Sequence, residues 1–213
     1  MKILCLANSY KEKGRCLAGL QLDDKNKPVL QNNRPIWIRP ICNTEHGQVH
    51  NHLCSNIFLL DILEINNTKT VGKGYQSENT IFDDNSIRKV GTVDSNVLNE
   101  LTDNDRFNLI FGNKGRALAE DAIQKLNYSL MLVKTSEFEV IEKKYDDREY
   151  PQIRLSFKYA NHWYDLPITD PDFLNKYKMD SDLINNKAAI YLTLSLAVVH
   201  NGWHSKLIAA IIY

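Results

Sequence analysis

The sequence predicts a mainly β chain with some α, arranged as two small barrels in tandem. Three observations carry this. Short β-favouring runs, split by polar linkers, fill the first third. The middle then changes to apolar residues at helical spacing. The last third returns to strands, interrupted once by a capped helix.

Taken in order, "KILCLA" (2–7), "RCLAGLQL" (15–22), "PIWIRPI" (35–41) and "IFLLDILEI" (57–65) read as strands, with Gly14, Pro28, Asn32 and Asn33 in the linkers. "DSNVLNELTDNDRF" (94–107) offers Asp94 or Ser95 as an N-cap, and Val97, Leu98 and Leu101 follow at helical spacing. "GRALAEDAIQKLN" (115–127) places Leu118, Ala119, Ala122, Ile123 and Leu126 on one helical face, the stronger of the two helix patterns. Strands resume with "YSLMLV" (128–133), "EFEVIEK" (137–143), "QIRLSFKYA" (152–160) and "WYDLPI" (163–168); a tight turn at Asn161–His162 joins the last two. "TDPDFLNKYK" has a cap at Thr169 or Asp170, Pro171 in the first turn and acids beside it. "AIYLTLSLAVV" (189–199) and "KLIAAIIY" (206–213) complete the chain.

Strands, a short helix and two further strands are the element order of an OB-fold, a five-stranded Greek-key barrel. The N-terminal part has similar strand spacing with a poorer helix signal. The resulting parse is two OB-like barrels, 1–92 and 128–213, joined by a helical connector over 93–127. A single larger β-rich domain is the alternative.

With 43% apolar and 24% charged residues the chain has the composition of a globular protein. "MKILCLANSY" lacks the long apolar stretch of a secretion signal, and no run approaches the ~20 residues of a membrane span. The expected setting is soluble and cytoplasmic. Cys5, Cys16, Cys42 and Cys54 form no CxxC pair and are expected as thiols. The 26 basic and 26 acidic residues cancel, so no whole-molecule field favours nucleic acid. Residues 1–40 are nevertheless basic, with Lys2, Lys11, Lys13, Arg15, Lys25, Lys27, Arg34 and Arg39 against Glu12, Asp23 and Asp24.

Several stretches could carry chemistry. "CNTEHGQVHNHLC" (42–54) spaces Cys42, His46, His50 and Cys54 four apart. One straight helix cannot wrap four ligands around an ion, so a polar loop is favoured over a zinc site. In "IWIRP" (36–40), alternation puts Trp37 and Arg39 on one face, a stacking ring beside a guanidinium; packing and a salt bridge explain them equally. "FKYANHWYDL" (157–166) mixes bases with Trp163 and Tyr164, and hairpin stabilisation is the favoured reading. "GNKGRAL" (112–118) carries Lys114 and Arg116 but lacks the GKS/T of a phosphate loop. No serine sits in a GxSxG elbow, and "DPD" (170–172) reads as a helix cap.

Taken together, "MKILCLANSYKEKGRCLAGL", "WIRPI" with "HG" after it, "LLDILEI", "GNKGRAL", "LNYSLMLVK", "YDLPITDP" and "YLTLSLAVVHNGWHSKLIAAII" resemble the dual-OB-domain (DuOB) proteins of prokaryotes along nearly the whole chain. The resemblance implies two OB-like barrels in tandem, a nucleic-acid-binding role and an association with bacterial conflict or phage-defence gene clusters. The closing motif departs from the family: its Gly-Glu-Pro-Phe-like turn is replaced by Ala197-Val198-Val199-His200, with Ser205 before Lys206. His46 lies in the matching "HG", whereas His50, His52 and Cys54 match no part of the pattern.

The leading expectation is a non-catalytic module that binds single-stranded DNA or RNA. Phosphates would meet Arg15, Arg39, Lys114, Arg116 and Lys206, with His46 in the same set, and bases would stack on Trp37 and Trp203. No cofactor and no metal is expected; an operon-encoded protein is a further possible partner. The rivals are an enzyme acting on a nucleotide or nucleic acid through Cys16, His46 or Asp61, and a protein-interaction adaptor.

Overall fold

Near-continuous apolar runs, buried on both faces at Ile3–Ala7 and Leu17–Leu20, form Lys2–Lys11 (β1) and Gly14–Leu22 (β2), and the two strands pair antiparallel from Lys2↔Leu22 to Lys11↔Gly14. Glu12 and Lys13, both at positive φ, turn the hairpin. A bulge between Cys5 and Ala7 bends β1, as barrel closure requires. Gly19 makes the close approach possible: a Cβ there would lie 2.1 Å from the Leu4 carbonyl oxygen.

The computed structural model describes residues 1–84, 86–146 and 149–213. The chain forms two compact units, Met1–Leu101 with Asn127–Ser129, and Thr102–Leu126 with Leu130–Tyr213.

In the first unit the small hairpin Leu30–Gln31 (β3) and Arg34–Pro35 (β4) precedes Trp37–Ile41 (β5), which pairs antiparallel with β2. One helical turn, Asn51–Cys54 (α1), leads to Asp61–Glu64 (β6), which returns to β1. Lys69–Thr70 (β7) continues that course and pairs with Asn79–Ile81 (β8). β8 runs parallel to β5, and Arg88–Thr92 (β9) adds to the outer edge of β6. With β6 and β7 counted as one broken strand, the circuit β1–β2–β5–β8–β7/β6 closes on β1. This is the pairing of an OB barrel, including its single parallel step. Ile3, Leu17, Ile38, Val49, Leu63, Ile65 and Phe82 fill its core.

The second unit repeats the circuit. Ala117–Ala119 (β10) is followed by Leu130–Thr135 (β11) and Phe138–Lys143 (β12), then Gln152–Tyr159 (β13) and His162–Pro167 (β14). Pro171–Met179 (α2) separates these from Ile190–Leu196 (β15) and Trp203–Ile212 (β16). β12 pairs with β13, β13 with β14, β15 with β16 and β11 with β15, all antiparallel. A parallel bridge, Ile168↔Ile208, joins the end of β14 to β16. Asp170 caps α2 by accepting from the Asp172 and Phe173 amides, and its other oxygen accepts from Ile211 N–H. The mainly β fold and the capped helix before the final hairpin therefore agree with the sequence.

Three elements differ. Residues 115–127 form β10 and a 3₁₀ turn, Ala122–Lys125, instead of a helix. The edge of β16 offers backbone partners to Ala117–Ala119, and this pairing outweighs local helical spacing. Over 94–107, Asp94 does cap by accepting from Asn96 N–H, but only the 3₁₀ segment Ser95–Glu100 follows. Asp103 then exchanges bonds with Leu132 through its backbone and its carboxylate, which draws the chain out of a helical course. In 57–65 the strand begins only at Asp61, because Leu60 sits at φ 70°.

Candidate nucleic-acid interface

The side chains expected to touch ligand divide into buried and exposed groups. Arg39 is 3% exposed and lies in the first barrel, 3.2 Å from the Glu78 carboxylate; it also donates to Ser129 Oγ and to Asn79 Oδ1. Ser129 in turn donates to Glu78. Trp37 is buried in the same wall. The Trp–Arg face of "IWIRP" is thus buried although it lies opposite the core-facing Ile38, and its guanidinium meets a carboxylate where a phosphate was expected. Lys206 is fully buried too. Its ammonium donates to the Ile110 and Asn113 carbonyls and to Asn113 Oδ1, and it lies 5.2 Å from the centre of the Tyr164 ring. Burial alone pushes its pKa down to about 7. Alternation explains Lys206, which shares the inward face of its strand with His204 and Ile208; Arg39 lies opposite the core-facing Ile38 and is buried because Glu78, Asn79 and Ser129 cover that outer face.

Of the remaining residues in the first unit, Arg15 stacks 5.0 Å from the centre of the exposed Tyr10 ring and His46 is half exposed. Of the residues proposed for an enzymatic reading, Asp61 is buried, ion-paired with Lys89 and bonded to Phe58 N–H and Thr92 Oγ1. Those bonds fix the start of β6.

In the second unit the remaining candidates converge. β10 pairs with β16 at Ala117↔Ser205 and Ala119↔Trp203, and the Arg116 carbonyl accepts from Lys206 N–H. The Arg116 side chain, still largely exposed, reaches Asp165 on β14 at 2.9 Å. Arg116 therefore ties together the two strands that carry exposed tryptophans, Trp163 on β14 at 57% and Trp203 on β16 at 54%. Outward alternation places Trp163 with Asp165, and Trp203 with Ser205, on the outer face. Asp165 is shared with Arg154, so two guanidiniums meet one carboxylate. Lys114 is exposed nearby in sequence, and Lys158, opposite Trp163, pairs with Glu137 at 2.7 Å.

The "GNKGRAL" loop is held from beneath. Besides the Lys206 bonds, Tyr164 accepts from Ile110 N–H and donates to the Asn113 carbonyl. Phe111 and Gly112, at φ 48° and 79°, make the reversal that lifts Lys114 and Arg116 outward. No helix begins here, so this is not a helix-terminus phosphate site.

Trp163 reads from the sequence as a hairpin-stabilising aromatic, and the structure leaves it exposed on β14 opposite Lys158. Its exposed position on alternating β14 was the available signal. The 42–54 stretch is not one helix. Cys42 follows β5, only Asn51–Cys54 is helical, and Cys42 and Cys54 are buried. Among the described residues no helix is long and apolar enough to cross a membrane.

Comparison with curated proteins gave no match. A family model does match, described as a dual OB-containing domain and covering residues 1–211. With two barrel circuits traced in the pairings and nearly the whole chain matched, this protein belongs to the DuOB family.

Proposed function

We propose that the chain binds single-stranded nucleic acid through the outer face of its second barrel. OB-fold domains commonly bind oligonucleotides through their strand 2–3 face and adjoining loops. The observation that carries the reading is Arg116 spanning two strands, each of which presents an indole more than half exposed. Large exposed aromatics beside cations form a sequence-tolerant stacking platform, worth ~1–3 kcal/mol per base. Arg116 and Lys114 would supply phosphate contacts, with Trp163 and Trp203 as the stacking rings. Arg39, Trp37 and Lys206 have structural roles in this reading. The family resemblance adds a nucleic-acid-binding role and a setting in prokaryotic conflict systems; that the chain holds its ligand without transforming it is our own reading.

The test is a fluorescence-anisotropy titration of labelled single-stranded DNA, single-stranded RNA and duplex at low and moderate salt. A preference for one single strand, weakening as salt rises, is the expected result. Absence of binding to all three at low salt would overturn the proposal and leave the adaptor and nucleotide-enzyme readings in its place.

A further inference from the structure

We propose that Cys42, His50 and Asp84, in the first barrel, form a binding site for a zinc-class divalent cation. A sulfur, an imidazole nitrogen and a carboxylate oxygen from these residues all lie within 4.8 Å of one another. Tetrahedral zinc places donor atoms ~3–4 Å apart, so small side-chain rotations bring this set to bonding distance. The donor types also fit: thiolate with imidazole selects zinc and its neighbours, whereas magnesium and calcium take oxygen-only sites.

The fold assembles the set for a topological reason. β5 and β8 run parallel with Ile41 opposite Ile81, so Cys42 and Asp84 leave the sheet at the same end. The intervening loop is fixed by Thr44 Oγ1, which donates to the Gln48 carbonyl, and by Val49, which exchanges backbone bonds with Arg15. That turn returns His50 to Cys42. The His50 backbone favours the Cys42 thiolate, whereas the nearby Asp84 carboxylate disfavours it. Cys42 is buried, Asp84 half-buried and His50 exposed, which leaves an entry path and a fourth position for water. His52 stacks on His50 with ring centres 5.7 Å apart, on the solvent side of the set.

This set is not the one that the four-residue spacing suggests. Cys54 packs into the core and His46 lies beside Glu45. Without a cation, burial and Asp84 push the Cys42 thiol up to about 12, so binding would release a proton.

The test uses the full chain, stripped with chelator and dialysed against zinc, with bound metal measured by elemental analysis and cobalt(II) absorption reporting thiolate ligation. Wild type and His46→Ala should each take up one zinc per chain, with a thiolate-to-cobalt band and a raised melting temperature. His50→Ala and Asp84→Asn should weaken uptake at least ~10-fold, and magnesium should not raise the melting temperature. Cys42→Ser should abolish the cobalt band. Since that change alters the core, the outcome is decided by the His50 and Asp84 variants. No uptake by wild type, or unchanged affinity in both of these variants, would overturn the site.

Discussion

The two barrels share one strand circuit but treat their buried cations and their aromatic residues in opposite ways. In the first, Arg39 is neutralised by Glu78 and Trp37 is buried beside it. In the second, Lys206 meets two carbonyls, an amide oxygen and a ring face, with no carboxylate among its hydrogen-bond partners in the described residues, and both tryptophans are exposed. One circuit can thus use a base and an aromatic as internal scaffolding or as an outer surface. A Trp–Arg pair in a strand does not by itself mark a binding face.

The largest effect expected is in the first barrel. Glu78→Ala leaves the Arg39 guanidinium buried without its carboxylate and should cost ~3–5 kcal/mol in denaturant unfolding. Arg39→Met with Glu78→Leu should recover most of that loss, because Arg39 Nε already has no acceptor among the described residues. A double variant as unstable as Glu78→Ala would show that the pair itself holds the barrel together.

Lys206 offers a subtler contrast. Its folded pKa, about 7, lies below the ordinary lysine value of 10.5, so between these pH values the unfolded chain binds the extra proton. Stability should therefore rise with pH across that window. Below it the ammonium must be carried in the barrel interior, and above it both states are neutral. Unfolding of wild type against Lys206→Met at pH 7 and pH 9.5 should move in favour of wild type by on the order of 2 kcal/mol. A flat difference would mean that the Ile110 and Asn113 acceptors hold the ammonium charged throughout.

The smallest effect concerns the surface. Arg116→Ala should change stability by less than ~1 kcal/mol, since its pair with Asp165 is largely exposed. In binding, the same change should lower the salt dependence by about one phosphate contact. An unchanged salt slope would remove Arg116 from the interface.

Much of the fold was legible because local signals coincided with it. The β-favouring run at 15–22, the alternation in 152–160 and the Asp170 cap each name an element that the structure contains. The Ala117–Ala119 strand was hidden because its pairing depends on an edge supplied by Trp203–Ser205, far along the chain. β7, β8 and β9 were too short or too polar to stand out from linkers. At the candidate interface, Arg116, Lys114 and Trp203 were legible as exposed-type residues near turns. A salt bridge for Arg39 was one of two equal readings, but its partner Glu78 was not legible, nor was the burial of Lys206, because Glu78 and Asn113 lie tens of residues away. Asp84 was invisible as a partner of Cys42 for the same reason: the parallel β5–β8 step brings them together.

If the second barrel, and not the first, presents the stacking surface, the two exposed aromatic sites should respond differently to truncation. Trp163→Ala/Trp203→Ala and Tyr10→Ala/Arg15→Ala can be compared in one anisotropy titration against the preferred single strand. The tryptophan pair should lose ~1–3 kcal/mol per stacked base while the Tyr10–Arg15 variant stays near wild type. Equal affinity of the tryptophan variant and wild type, or a greater loss in the Tyr10–Arg15 variant, would place the stacking surface elsewhere.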